Sequence, residues 1–209
     1  MLGTQLGQMM CAQGYKSAAA GLASGLLILT GLVGSFIIGP IARRLGRQVE
    51  AAKLSFALSS IGLLMLSLAL RHPDALPAIF ASLTLFGFFG LGAFPLTLEL
   101  AVEESYPADP VYSEAFIHIS GQGQAIAFIL LGNVMHWQPT LRILEHQVCL
   151  VEGEGAVKPW DYTPYLYLVM MEAFFGALAY IFFINPQLRR AKLDAVNLEN
   201  ETPRTVKHT

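Results

Sequence analysis

Long apolar runs with almost no charged residues recur along this chain and limit it to one kind of fold. They cover residues 17–42, 54–70, 75–98, 115–137 and 162–184. A helix needs about 20 residues to cross about 30 Å of hydrocarbon, and about 17 is the lower limit. Only 13% of the residues are charged, against roughly 25% in a soluble domain. The sequence therefore predicts an all-α, multi-pass membrane helical bundle.

The two ends of the chain differ from these runs. Residues 1–15 are apolar but too short to cross the membrane, and they lack the basic region and cleavage site of a signal peptide. We interpret them as the outer half of a truncated helix that precedes five whole spans. The transmembrane domain then covers residues 1–184, and a polar tail covers residues 185–209, whose composition is typical of disorder.

The distribution of basic residues predicts the orientation. Nine of them follow the first or the last long run, and four lie in the alternate loops. Because basic residues of short loops stay on the cytoplasmic side, we expect a cytoplasmic C-terminus, in either the plasma membrane or an internal one. Trp137 and Trp160 then fall at the outer ends of the last two spans, where their rings favour the headgroup region.

The loop after the first whole span reads GPIARRLGRQ, residues 39–48. In one interpretation it is a glycine-proline helix exit with basic membrane anchors. In the other it resembles G-x-x-x-D-R-x-G-R-R, the loop of the major facilitator superfamily whose basic residues bridge helix ends and bias the carrier between its closed states. Arg43 stands at the acidic position of that motif, so the loop has lost its acidic half. Arg43 and Arg44 are gating candidates.

The third whole span reads GFFGLGAFPLTLELAVEESYP, residues 87–107. Its glycines at 87, 90 and 92 allow close approach of another helix, and Pro95 removes a backbone donor and favours a kink. Packing is the usual role of small residues in membrane helices. Glu99 and Glu103 follow, four residues apart on one face near the cytoplasmic end. We consider both as candidates for gating or coupling.

Polar residues within the last two spans are the remaining site candidates. His118 and Gln122 are four residues apart and share a helix face, which points either into a cavity or toward a hydrogen-bonding helix. Gln124 lies about 200° round the helix from Gln122. Glu172 should face the bundle or water, either as a buried hydrogen-bond partner or as a proton or cation coupling site.

Several strings together resemble the C-terminal half of solute carrier family 49, the branch of the major facilitator superfamily that contains the feline leukaemia virus subgroup C receptor-related proteins. They lie at residues 6–15, 39–44, 87–107, 120–126 and 159–163. The resemblance covers roughly residues 5–192 and implies transport helices seven to twelve, with helix seven cut short. It also implies a substrate of choline-like or haem-related chemistry.

The resemblance carries over one substrate residue. A glutamine on helix eleven faces the cavity in the choline carriers of this family, and it corresponds to Gln122. The aromatic residues that cage the ammonium there come from helices one and seven, and neither has a counterpart in this chain. Residues 108–120, ADPVYSEAFIHIS, depart from the family pattern, so the start of helix eleven should pack differently.

Motifs of other protein classes are missing from the sequence. It contains no G-x-x-x-x-G-K-[ST], G-x-S-x-G or His-Glu-x-x-His, so we predict no enzyme, no cofactor, no metal site and no nucleic-acid partner. Three interpretations remain: half of a solute carrier, a non-transporting membrane partner or inactive fragment, and a membrane enzyme with a dispersed site. The expected partners are the lipid bilayer, a small-molecule solute, and a missing N-terminal six-helix half or another membrane protein. A disulfide between Cys11 and Cys149, both toward the outer face, is an open alternative.

The basic-residue bias makes the topology testable. Cysteine accessibility or protease protection should place Arg44 and Arg190 in the cytoplasm and Glu152 outside, because one span separates Glu152 from Arg190. Asn200 should remain unglycosylated, since its acceptor sequence lies on the cytoplasmic tail. Finding Glu152 and Arg190 on the same side would contradict the five-crossing count.

Overall fold

The fold is an all-α bundle in the part of the chain that the computed structural model describes, residues 6–7, 9–10, 15–72, 75–134 and 163–183. Five stretches are long and apolar enough to cross a membrane, which confirms the predicted fold class. The helices are α1 (Ser17–Leu45), α2 (Gln48–Ala69), α3 (Leu76–Phe86), α4 (Phe94–Glu104), α5 (Pro110–Val134) and α6 (Thr163–Phe183). A π-helical turn, Gly87–Leu91, joins α3 to α4, and these three elements form the third span.

The first span continues past the glycine-proline pair at which the sequence suggested an exit. Pro40 lies inside α1, which ends at Leu45. A proline costs a helix one backbone donor, and membrane helices tolerate that loss. The helix ends instead at Gly46, whose φ of 63° is left-handed and whose N–H group reaches the carbonyls of Ala42 and Arg43. Glycine adopts this conformation without the Cβ clash that other residues meet.

The third span is interrupted where its sequence weakens the helix. The Gly92 N–H group donates to the Gly87 carbonyl at 3.2 Å, a bond one residue longer than the α-helical spacing. Pro95, which has no N–H group to donate, follows within the first turn of α4. The α-helix of the third span is therefore interrupted by a π-helical turn and a short break before Phe94, whereas the kink itself stays a prediction.

The first and third spans touch through their backbones at this interruption. A Cβ added to Gly31 would lie 2.6 Å from the Cβ of Leu91, and one added to Gly92 would lie 2.8 Å from the Cα of Gly34. A Cβ on Gly34 would overlap the carbonyl oxygen of Phe88. Only glycine leaves room for this approach. Packing is thus the role that the structure gives to the glycines at 87 and 92.

The fourth whole span begins five residues before the apolar run that predicted it. Asp109 accepts a hydrogen bond from the Val111 N–H group at 2.9 Å, and Pro110 is the first residue of α5. A carboxylate cap followed by proline is a favourable helix start. Ser105 and Ser113 share a hydrogen bond of 2.6 Å between their hydroxyl groups, which ties the start of α5 to the end of α4.

Two apolar clusters hold the bundle together. The larger lies in the half expected to face outward and includes Leu27, Leu66, Leu83 and Tyr165 with the N-terminal Met10. The smaller lies at the end expected to be cytoplasmic and consists of Ala42, Ala52, Leu96 and Leu100. The predictions made for Cys11, Trp137, Cys149, Glu152, Trp160 and Asn200 fall outside the described residues.

Substitution of Gly34 should measure how much the bundle depends on the backbone contact. Gly34→Ala would push α1 away from the Phe88 carbonyl, and overpacking of this kind costs about 1–3 kcal/mol. Gly25→Ala is the matched control, because it lies on the same helix with no atom within 4 Å of an added Cβ. Thermal unfolding of both variants in detergent should show a lower midpoint for Gly34→Ala alone. Equal midpoints would contradict the tight contact.

Candidate functional site

The polar face of α5 lies near the middle of the membrane. His118 and Gln122 are both exposed on the surface of the described bundle. At 1.5 Å per residue, Gln122 is about 18 Å along the helix from Pro110, close to the middle of a hydrocarbon layer about 30 Å thick. The His118 ring packs edge to face against Phe94 of α4, with ring centroids 5.7 Å apart. Phe94 is itself 43% exposed, so an exposed aromatic side chain lies beside His118.

The opposite side of α5 bonds to the last span. The Gln124 side-chain amide donates a hydrogen bond to the Glu172 carboxylate, and Glu172 is half-buried. Gln124 lies about 15 Å from the outer end of α5 and Glu172 about 13 Å from the start of α6, so their depths match. Because Gln122 is about 200° round the helix from Gln124, its side chain points away from α6. The two glutamine side chains therefore lie on different sides of α5.

The structure pairs two of the gating candidates at the end of the bundle that is expected to be cytoplasmic. The Arg43 guanidinium donates to the Glu99 carboxylate at 2.7 Å, which joins the end of α1 to α4. The loop lacks the acidic residue of the family motif, and Glu99 on the neighbouring span provides a carboxylate in its place. The two side chains are 51% and 41% exposed, so water screens their attraction.

The other two gating candidates are placed differently. Glu103 lies one turn beyond Glu99, and its Oε2 atom is buried without a hydrogen-bond partner among the described residues. Arg44 is exposed beside Arg43. Arg47 pairs with Glu50 at 3.4 Å across the junction of α1 and α2. The described part of the chain thus brings Arg43 and Glu99 into direct contact and shows no bond between Arg44 and either glutamate.

Aromatic side chains organise the outer end of the bundle. The Tyr15 hydroxyl accepts from the Ala75 N–H group at 3.0 Å and donates to the His72 carbonyl at 3.5 Å, which fastens the connection between α2 and α3. The Arg71 guanidinium lies 4.7 Å from the centroid of the Tyr167 ring, a cation–π contact between α2 and α6. These contacts hold helix ends together and involve none of the central polar residues of α5.

Two features of the site were not found by sequence reasoning. Phe94 was read only as part of a kinked span, and the pairing of Gln124 with Glu172 was not foreseen. Gln124 and Glu172 both lie near the middle of their spans, and these matching depths were a usable signal for a contact between them. Among the described residues, no group of three or more histidine, cysteine, aspartate or glutamate side chains is arranged to hold a metal ion.

Comparison with known proteins gives three informative relatives, although no family model matches the chain. Solute carrier family 49 member A3 of Xenopus tropicalis is 27% identical over 185 residues, which are 88% of this chain and 37% of that protein. Member A3 of Danio rerio is 29% identical over 61% of this chain and 27% of its own length. The choline/ethanolamine transporter flvcr2a of Danio rerio is 32% identical over 55% of this chain and 24% of its own length.

The chain spans less than two fifths of the length of these relatives. The matches nevertheless extend across most of the chain, and the five membrane-spanning helices agree with a multi-pass solute carrier. Over the part that the alignments cover, the chain is similar to members of solute carrier family 49, which supports membership of that family.

Proposed function

We propose that the chain forms one half of a secondary carrier that moves a small organic solute across the membrane by alternating access. Carriers of this superfamily bind their solute between two halves related by an axis along the membrane normal. One half supplies one wall of the site, so transport requires a second six-helix half. The family relatives, all longer than this chain, support this assignment.

The observation that carries the proposal is the exposed polar face of α5. Gln122 lies at mid-membrane depth and His118 one turn nearer the start of α5, and both point away from the helix to which Gln124 is bonded. Polar side chains at that depth are expensive against lipid, so they should face a water-filled cavity or a second half. A central cavity between two halves satisfies both groups.

The chemistry of this face favours a small organic cation with a polar end. The Gln122 amide can accept from a hydroxyl or ammonium group, and the exposed Phe94 ring can contribute one aromatic surface to a cation. A choline/ethanolamine transporter is among the relatives. A complete aromatic cage needs further rings, which the second half would have to contribute.

The pair of Arg43 and Glu99 is the proposed cytoplasmic latch. An exposed ion pair contributes about 0–1 kcal/mol, too little to hold a fold together but enough to change the ratio of two conformations up to about fivefold. Glu103, one turn further, offers a second carboxylate to an arginine that moves along α4. The latch thus acts on the populations of carrier states.

Charge reversal should expose the latch in a carrier with its second half restored. Arg43→Glu or Glu99→Arg should change the uptake rate up to about fivefold, because each places like charges together. The double variant R43E/E99R should return the rate toward the original, since it restores the pair. Arg44→Glu changes the same charge at the next position and should have a smaller effect. An equal effect from Arg44→Glu, or no recovery in the double variant, would contradict the latch.

Gln122 should contribute directly to solute binding in the restored carrier. Liposomes with this chain alone should show no saturable uptake of radiolabelled choline, and co-expression with an N-terminal half should restore it. Gln122→Ala should then weaken affinity about three- to tenfold, because one neutral hydrogen bond contributes about 0.5–1.5 kcal/mol. The affinity is measured as the concentration dependence of uptake at matched membrane levels.

Ser120→Ala is the control for that measurement. Ser120 is exposed on α5, bonds only to the Ile117 carbonyl of its own helix, and shares the helix side of Gln124. Its replacement should leave the affinity unchanged. Saturable uptake by the chain alone would refute the half-carrier proposal, and wild-type affinity of Gln122→Ala would remove Gln122 from the site.

A further inference from the structure

Glu172 is a carboxyl group in the middle of a membrane span. It lies about 13 Å from the start of α6 and about 16 Å from its end, so neither aqueous phase is within reach of its side chain. It is half-buried between neighbouring helices, and its hydrogen-bond partner is the neutral amide of Gln124. Among the described residues, no lysine, arginine or histidine forms an ion pair with it.

The charged groups on the neighbouring elements lie at other depths than Glu172, and the nearest on α5 is His118, about 9 Å along the axis from Gln124. On α5, Glu114 and His118 lie toward the cytoplasmic end, and His118 packs against Phe94. On α2, Glu50 and Lys53 are at the cytoplasmic end, while Arg71 at the other end stacks on Tyr167. Tyr165 is buried and lies seven residues before Glu172, on the same face of α6.

An amide partner suits a carboxyl group that changes its protonation state. The Gln124 N–H group donates to the ionised carboxylate, and the Gln124 carbonyl oxygen can accept from the protonated acid. An arginine or lysine partner would instead stabilise the ionised form alone. The pair can therefore remain hydrogen-bonded in both protonation states if the Gln124 amide rotates by about half a turn when the state changes.

We propose that Glu172 and Gln124 form a proton-binding site that links α5 to α6 in the middle of the bilayer. The site takes up one proton on the Glu172 carboxylate and releases the same proton, with no other group consumed. Gln124 and Gln122 are on the same helix, α5, on opposite sides of it. Protonation of Glu172 therefore acts on the helix that carries the proposed solute residue. The coupling to transport rests on the proposed carrier function, whereas proton binding by Glu172 does not.

Labelling with the apolar reagent dicyclohexylcarbodiimide tests proton binding without any transport assay. The reagent modifies protonated carboxyl groups in apolar surroundings. The whole chain in liposomes should be labelled on the peptide containing Glu172, and labelling should fall at least tenfold between about pH 5 and pH 9. Glu172→Gln keeps the shape and hydrogen-bonding capacity of the side chain, and it should abolish this label.

Two further variants define the site. Glu103→Gln removes a carboxylate at the cytoplasmic end and should leave the label on the Glu172 peptide unchanged. Gln124→Ala removes the amide partner and should move the pH midpoint of labelling, whereas an unmoved midpoint would exclude Gln124 from the site. Absence of the label at every pH, or equal labelling at every pH, would overturn the proposal. Circular dichroism at each pH checks that the helices persist.

The same variants separate this proposal from the carrier proposal. In the restored carrier, an imposed proton gradient should change choline uptake, and Glu172→Gln should remove that dependence while uptake itself continues. If choline is carried but Glu172 never binds a proton, the carrier proposal stands and this one fails. If Glu172 titrates but no uptake is found, the proton site stands and the carrier proposal fails.

Discussion

The close backbone contact between α1 and the interrupted third span sets the positions of the remaining elements. Gly34 and Gly92 meet with no side chain between them, so the two helices cannot slide without a clash. Arg43 lies about 13 Å beyond Gly34, and Glu99 lies about 10 Å beyond Gly92 in the same direction. The glycine contact therefore sets a register in which Arg43 and Glu99 can meet at the end of the bundle that is expected to be cytoplasmic.

The π-helical turn determines which side chain of the third span contacts α5. One extra residue in a turn rotates everything that follows by about 100° relative to an uninterrupted α-helix. Phe94 is the first residue of α4 after that turn, and it contacts His118. The aromatic border of the proposed solute site thus depends on a backbone irregularity, which agrees with the frequent occurrence of π-helical turns at functional sites.

The sequence predicted the class of fold and the positions of its spans because apolar length alone decides what can cross a bilayer. It misjudged helix ends, since α2 and α5 begin in polar residues before their apolar runs and α1 passes through Pro40. Gln122 was proposed from the family resemblance and His118 from its spacing to Gln122 on one helix, and both stay predictions. Phe94 and the pairing of Gln124 with Glu172 were not identified, because contacts between helices depend on rotations that a single sequence does not specify.

The polar contacts between helices are weak compared with the conformational step that a carrier makes. An interhelical hydrogen bond in a membrane averages about 0.6 kcal/mol, and an exposed ion pair contributes about 0–1 kcal/mol. Reversing a two-state population from 1:99 to 99:1 takes about 5.5 kcal/mol. The Arg43 and Gln124 contacts can therefore adjust populations a few fold each. In the proposed carrier, the main driving energy would come from solute binding and from the apolar surface buried between the two halves.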